Sequence, residues 1–283
     1  MIFITCIYFM VDCINEFLIQ NGRVEKCADF NNNSIYSGIN VYEVIRVING
    51  VPLFFEKHIK RMQKSMKLID MDLPYSYETC KGYIKKLIET NGKVDGNIKL
   101  VINADKPKKD FTLFYIKHAY PRESDYKEGV RTILYHGERD NPNAKIVNDD
   151  FRGKVNEKIN SREVYEAILV DRNGKMTEGI KSNIFFIKGD LVITSPISEV
   201  LPGITRDEIL EICLENKIKV KEEGYMYEDV RNLDGAFISG TSPSVLPIKY
   251  IDENSLNSTQ NAIIKIIINK YREKMKDYIN YWR

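Results

Sequence analysis

Glu178 stands in the tripeptide Thr-Glu-Gly, a few residues ahead of the apolar run Ile184-Phe185-Phe186-Ile187. The preceding Asn173-Gly174 pair marks a tight turn, and the run has the length and character of a buried strand. A carboxylate carried to the edge of a core needs a partner that a surface turn would not require. Downstream, Leu201-Pro202-Gly203-Ile204-Thr205-Arg206 places Gly203, Ile204 and Thr205 where a helix begins. The first N–H groups of a helix lack partners and carry the positive end of its dipole, which suits a phosphate. Read alone, the same residues fit an ordinary start, with Thr205 as the cap and Asp207 and Glu208 in the first turn. Gly240-Thr241-Ser242 ends a strand in a small hydroxyl-rich loop that suits the same phosphate or an ordinary turn.

The elements that must carry these residues alternate along the chain. "EFLIQNGRVEKC" reads as a hairpin about Asn21-Gly22. "VYEVIRVINGVPLFFEKHIKRMQKSMKLI" reads as strand, Asn49-Gly50 turn, strand and helix, with Ile59, Met62, Met66 and Ile69 on one apolar face. "TCKGYIKKLIETNG" is a second helix with an Asn-Gly stop, and "NIKLVINA" and "DFTLFYIKHAYP" follow as strands. The polar stretch 136–145 interrupts the pattern, so the expected organisation is a small N-terminal domain over 1–135, a linker over 136–144 and a larger domain over 145–283. The second half begins with a helix over about 150–163 and the strands "EAILVD", "NIFFI" and "LVITSP". The helix "TRDEILEICLENK", the strands "IKVKEEG" and "GAFISGT" and a C-terminal helix over about 258–282 complete it. Strands and helices mix without a regular βαβ rhythm, which points to an α+β fold. Neither GxGxxG nor GxxxxGK[ST] occurs, so the common dinucleotide and P-loop sites are excluded.

The 283 residues suit two domains, and 43% apolar with 29% charged residues is an ordinary globular balance. A formal net charge of +2 makes no case for nucleic acid or membrane. Five scattered cysteines without a CxxC suggest reduced thiols and a cytoplasmic protein, and three histidines without clustered cysteines argue against a zinc site. The opening "MIFITCIYFMV" is too short to span a bilayer and lacks the basic start and cleavage site of a signal peptide. It reads as a buried first strand or as an extension upstream of a start at Met10.

Taken together, "VYEVIRVINGVPLFFEKHIKRM", "TEGIKSNIFFIKGDLVITSP" and "VLPGITRDEIL", in that order, resemble the class IV (fold type IV) pyridoxal-phosphate aminotransferases. That group includes branched-chain and D-amino acid aminotransferases and aminodeoxychorismate lyases, and the resemblance runs from about Phe17 to about Asp252. It implies a small α/β domain followed by a pseudobarrel domain, and pyridoxal 5'-phosphate as cofactor. It further implies a homodimer acting on an amino acid and a 2-oxo acid, with a branched-chain-like substrate preferred. The alternative is a lyase that forms p-aminobenzoate and pyruvate.

By the same resemblance Glu178 faces the cofactor's ring nitrogen and keeps it protonated. Lys145, with Asn148 three residues on and Glu166-Ala167 opening the next strand, matches the Schiff-base lysine, whereas Lys154 and Lys158 lack that asparagine. "FEKHIKRM" matches a His-x-x-Arg segment, making Arg61 a phosphate ligand together with Ile204, Thr205 and Thr241. Tyr42 matches an aromatic position lining the substrate pocket. Two departures bear on specificity. Asp149 stands where many relatives have a tyrosine touching the phenolic oxygen, and the Arg-x-His carboxylate trap of D-amino acid enzymes is absent from "NIKLVINADKPKKD". The substrate carboxylate must then be held otherwise, as by backbone groups at Thr241 and Ser242.

Overall fold

A computed structural model describes residues 13–30, 35, 38–104, 110–139, 142–145 and 149–282. The expected strand at the extreme N-terminus lies outside the described residues. The chain divides into two compact units between His118 and Ala119.

The first unit is built on a six-stranded sheet. Strands β1 (Phe17–Gln20) and β2 (Arg23–Lys26) form the expected hairpin through Asn21 and Gly22. Strand β3 (Asn40–Ile48) turns through Asn49 and Gly50, at φ 52° and 74°, into β4 (Val51–Pro52). With both central residues at positive φ, this is the backbone twist that tight hairpins favour. Helix α1 (Phe55–Lys67) and helix α2 (Tyr77–Thr90) follow, then β5 (Gly96–Asn103) and β6 (Asp110–Ile116). The sheet order is β2-β1-β6-β5-β3-β4. Helix α1 buries Ile59, Met62 and Met66 as the periodicity demands, while Ile69 falls beyond its last turn. Helix α2 starts where the Ser76 side chain accepts from the Thr79 N–H at 3.2 Å.

The second unit opens with helix α3 (Glu123–Glu128) and strand β7 (Val130–His136), neither of which stands out in the sequence. Helix α4 (Asp149–Ser161) leads to β8 (Glu166–Val170), β9 (Lys175–Gly179), β10 (Asn183–Lys188) and β11 (Leu191–Thr194). Helix α5 (Ile204–Glu215) is followed by β12 (Lys219–Glu222), β13 (Tyr225–Met226), β14 (Gly235–Gly240), β15 (Ser244–Ile251) and β16 (Asn254–Ser255). Helix α6 (Ala262–Trp282) ends the unit. It starts later than the apolar pattern suggests because Asn261 caps it, accepting from the N–H groups of Ile263 and Ile264 at 3.0 and 3.2 Å.

The main sheet runs β12-β11-β10-β14-β15-β7-β8-β9-β13, and β10 also pairs with β9. That extra pairing closes a ring, β10-β14-β15-β7-β8-β9, which is the expected pseudobarrel. Ile184 and Phe186 join Ile168, Met176, Ile238 and Leu246 in one core cluster. The pleat sends Phe185 to the opposite face, where it stacks on Phe237 at 4.8 Å between ring centroids.

Two expectations are corrected. The division falls at 118/119 and not over 136–144, because β7 pairs in parallel with β8 and with β15 and so belongs to the second sheet. The cysteines are not all reduced thiols: Cys13 and Cys27 lie 5.8 Å apart at Cα and form a disulfide, while Cys80 and Cys213 are buried free thiols. Among the described residues no helix is long and apolar enough to cross a membrane.

Candidate active site

Strand β9 carries Glu178 into the barrel wall, where the residue is 2% exposed. Arg139 Nη1 donates to its Oε1 at 3.0 Å, and the Leu201 N–H donates to its Oε2 at 3.1 Å. Burial pushes this carboxyl above the ordinary range. Arg139, the Leu201 N–H and the nearby Lys145 charge pull it down without fully offsetting burial. Lys145 is half-buried, and its charge reaches Glu178. Asn148 and the Asp149 side chain lie outside what the structure describes.

Glu178 stands opposite Asn183 across the rung that closes the barrel, and Asn183 in turn stands opposite Ser239 on β14. Three neighbouring strands thus carry Glu178, Asn183 and Ser239 in one line, a span of roughly 10 Å at ordinary strand spacing. Ser239 leads directly into Gly240, Thr241 and Ser242. Its own hydroxyl is fully buried without a hydrogen-bond partner. Asn183 Nδ2 donates to the Leu201 carbonyl at 2.9 Å. Asn143 Nδ2 donates to the carbonyls of Ile197 and Val200 at 2.6 and 2.9 Å. The segment 197–203 is therefore pinned from several sides before it enters α5.

Gly203 is the N-cap of α5, and no side chain caps the helix. Thr205, expected as the cap under the ordinary reading, is instead the second helical residue, with its Oγ1 3.4 Å from Tyr271 Oη. A Cβ at 203 would run into Asn183, whose Oδ1 is closest and whose Cγ would lie 3.2 Å away, so a larger residue there requires Asn183 to move. Behind Glu178, the buried Glu166 accepts from the Lys181 N–H at 2.6 Å and from Ser182 Oγ at 3.0 Å. Burial raises the Glu166 carboxyl to about 7.

In the first unit Arg61 is buried, not the exposed helix arginine it resembles in sequence. Its Nε and Nη2 donate to the two oxygens of Glu43 at 2.8 and 2.6 Å, and His58 Nδ1 lies 2.7 Å from Glu43 Oε2. Burial alone would raise Glu43, but Arg61 and His58 outweigh it and hold the carboxyl at about 2. Tyr42, on the other face of β3, is buried, with Lys99 Nζ 5.6 Å from its ring centroid. Sequence reasoning passed over Arg139 and Glu43. Glu43 had a signal, a charge inside the apolar strand "VYEVI", whereas Arg139 was hidden in the polar stretch read as a linker.

The family described as amino-transferase class IV matches residues 40–251. The chain belongs to the class IV aminotransferases. It is 31% identical over 256 residues to a D-alanine aminotransferase of Bacillus licheniformis, covering 85% of this chain and 90% of that one. Its fold is that of the Escherichia coli branched-chain amino acid aminotransferase, with a TM-score of 0.83 at 21% identity, covering 93% of this chain and 95% of that one. The branched-chain aminotransferase of the thermophilic archaeon Thermoproteus uzoniensis, solved with norvaline, gives a TM-score of 0.82 at 24% identity, covering 95% and 98%.

Class IV aminotransferases use pyridoxal 5'-phosphate, and this chain's residues fit that group. A buried carboxylate, a neighbouring lysine, an uncapped helix start and a hydroxyl-bearing loop with an unpartnered buried Ser239 Oγ are a donor set for a cationic ring nitrogen, an aldehyde and a phosphate.

Proposed function

We propose that this class IV aminotransferase moves an amino group between a branched-chain-like amino acid and a 2-oxo acid. The observation that carries the catalytic reading is a buried Glu178 that already holds two donors and feels the charge of Lys145. The branched-chain preference is supported by the fold likeness and by β5, which has Lys99 and no Arg-x-His trap. The D-alanine aminotransferase relatives supply the competing substrate.

Bound pyridoxal phosphate supplies an electron sink for the carbanion at the substrate's α-carbon. Glu178 holds the proton on the ring nitrogen, and an ionised carboxylate does this better than a neutral one. Lys145, as a free amine, bonds the cofactor and carries the proton at the α-carbon. The N–H groups at Ile204 and Thr205, the Thr205 and Thr241 hydroxyls, and Arg61, oriented by Glu43, are the proposed phosphate ligands. Tyr42 and the backbone at Ser242 are the proposed substrate contacts.

A panel of L- and D-amino acids, tested for conversion of the bound cofactor to its amine form, decides the substrate. Conversion by branched-chain L-amino acids supports the reading, and conversion by D-alanine alone overturns the substrate assignment. Release of p-aminobenzoate from aminodeoxychorismate without an amino acceptor would make the enzyme a lyase. The family likeness also supports a homodimer, which sedimentation showing only a 32.9 kDa species would refute.

A further inference from the structure

Glu178 is taken out of water almost completely, its side chain 3% exposed, and it meets one guanidinium. Arg139 is itself 12% exposed at the side chain and aims Nη1 at Oε1. The Leu201 N–H occupies Oε2. Among the described residues, the charge of Lys145 also stabilises the ionised form of Glu178, and Glu178 in turn raises the proton affinity of Glu166. Lys145 cannot serve as the standing counter-charge, because its chemistry in the reading above requires the neutral amine. Glu166, which accepts from the Lys181 N–H and Ser182 Oγ, is an acid and supplies no counter-charge. Of these neighbours, Arg139 is the cation whose charge is independent of pH over the working range.

We propose that Arg139 is the positioning residue that sets the charge of Glu178, keeping the carboxylate ionised and aimed so that it holds the proton on the cofactor's ring nitrogen. The inference rests on the pyridoxal phosphate reading given above. Without Arg139, burial favours the neutral acid, and a neutral acid cannot serve as counter-ion to a pyridinium. Arg139 therefore serves the barrel wall and not a spacer between domains.

The test uses the full chain with Arg139→Met and Arg139→Lys. Pyridoxal 5'-phosphate affinity is measured by equilibrium dialysis from about pH 6 to about pH 9. Arg139→Met binds the cofactor about tenfold or more weakly near neutrality, the scale of one pKa unit. The deficit narrows as pH rises, because Glu178 then ionises without its guanidinium. Arg139→Lys restores most of the affinity. A pH-independent deficit, or one that Lys does not relieve, would show a merely structural contact and overturn the proposal, as would unchanged affinity in Arg139→Met.

Unfolding of the cofactor-free protein against pH supplies an independent arm. A buried acid whose native pKa is raised loses stability as pH climbs from its unfolded value to its native one. Arg139→Met extends that loss to higher pH, and adding Glu178→Gln removes the extra loss. If Arg139→Met does not fold, recovery of folding in the double variant reports the same coupling, and failure of the double variant overturns it. If the wild-type protein takes up no pyridoxal phosphate, the functional reading fails while this arm still decides the charge pairing.

Discussion

Glu178 and Asn183 face each other across the rung that closes the barrel, and both grip Leu201, one through its N–H and the other through its carbonyl. Two strands that meet at the seam thus fix the residue that leads through Pro202 and Gly203 into α5. The carboxylate at one end of the site and the helix start at the other are parts of one hydrogen-bonded construction. Asn183→Ala strands the Leu201 carbonyl and is expected to cost about 1–3 kcal/mol of stability. Gly203→Ala drives a methyl into Asn183 and is expected to cost about as much. If the clash is the cause, the double variant is more stable than the sum of the two losses. A thermodynamic cycle from denaturant melts checks this, and strict additivity would contradict it.

Lys145→Ala is expected to abolish turnover and covalent cofactor attachment, whereas Lys154→Ala, at an exposed position on α4, leaves both near wild-type. Borohydride reduction of the loaded enzyme followed by peptide mapping places the label. Finding it on Lys154 or Lys158 would move the catalytic assignment.

Glu178→Gln separates two consequences that the sequence alone merges. As a neutral group it no longer holds the ring nitrogen's proton, so half-reaction rates should fall by roughly two to three decades, or about 3–4 kcal/mol. Isosteric replacement is not neutral for the fold here. Gln has one acceptor oxygen where Glu178 serves both Arg139 and Leu201. A stability loss of about 1–3 kcal/mol in the cofactor-free protein should accompany the rate loss. Near wild-type transamination by this variant would remove Glu178 from the mechanism.

The local elements were legible where chemistry is local. The Asn-Gly hairpins, the α1 face and the strand after Glu178 follow from turn residues and periodicity. What stayed hidden depends on partners far along the chain. Strand β15 contains Pro247, which argues against a central strand, yet Pro247 falls just before the ladder to β7 begins at Ile248. Arg139 and Glu178 are 39 residues apart, and Arg61 and Glu43 are 18 apart. No spacing rule links such pairs, so the type of each residue was visible but its partner was not. The polar stretch before Lys145 read as a linker for the same reason: its Glu138 and Arg139 pair with Arg172 and Glu178, not with neighbours in sequence.

In the first unit, Glu43→Gln removes the carboxylate that pairs with the buried Arg61, and breaking such a pair is expected to cost about 3–5 kcal/mol. Glu43 is held at about 2, below the ordinary 4.5, so its contribution is present above pH 4.5 and is lost as pH falls toward 2. Acid unfolding followed by circular dichroism should therefore show a transition in that window that weakens in the Gln variant. An unchanged acid limb would mean that Glu43 does not hold Arg61 through its charge.

Glu166 acts in the opposite direction. Its carboxyl is raised from the ordinary 4.5 to about 7, with burial the dominant cause. The native state therefore binds a proton that the unfolded chain has already released between those values, and stability falls as pH rises from about 4.5 to about 7. At about 1.4 kcal/mol per unit, the charged form costs roughly 3 kcal/mol at alkaline pH, as an order of magnitude. Glu166→Gln removes the charge while its carbonyl oxygen still accepts from the Lys181 N–H and its amide faces Ser182 Oγ, which accepts in turn. The variant should match wild-type stability near pH 5 and exceed it near pH 8, with the difference opening between about pH 4.5 and about pH 7 and holding steady above that. Denaturant melts of the cofactor-free proteins at the two pH values measure this. A variant less stable than wild type at both would show that the ionised carboxylate, with its two donors, is the form the fold prefers.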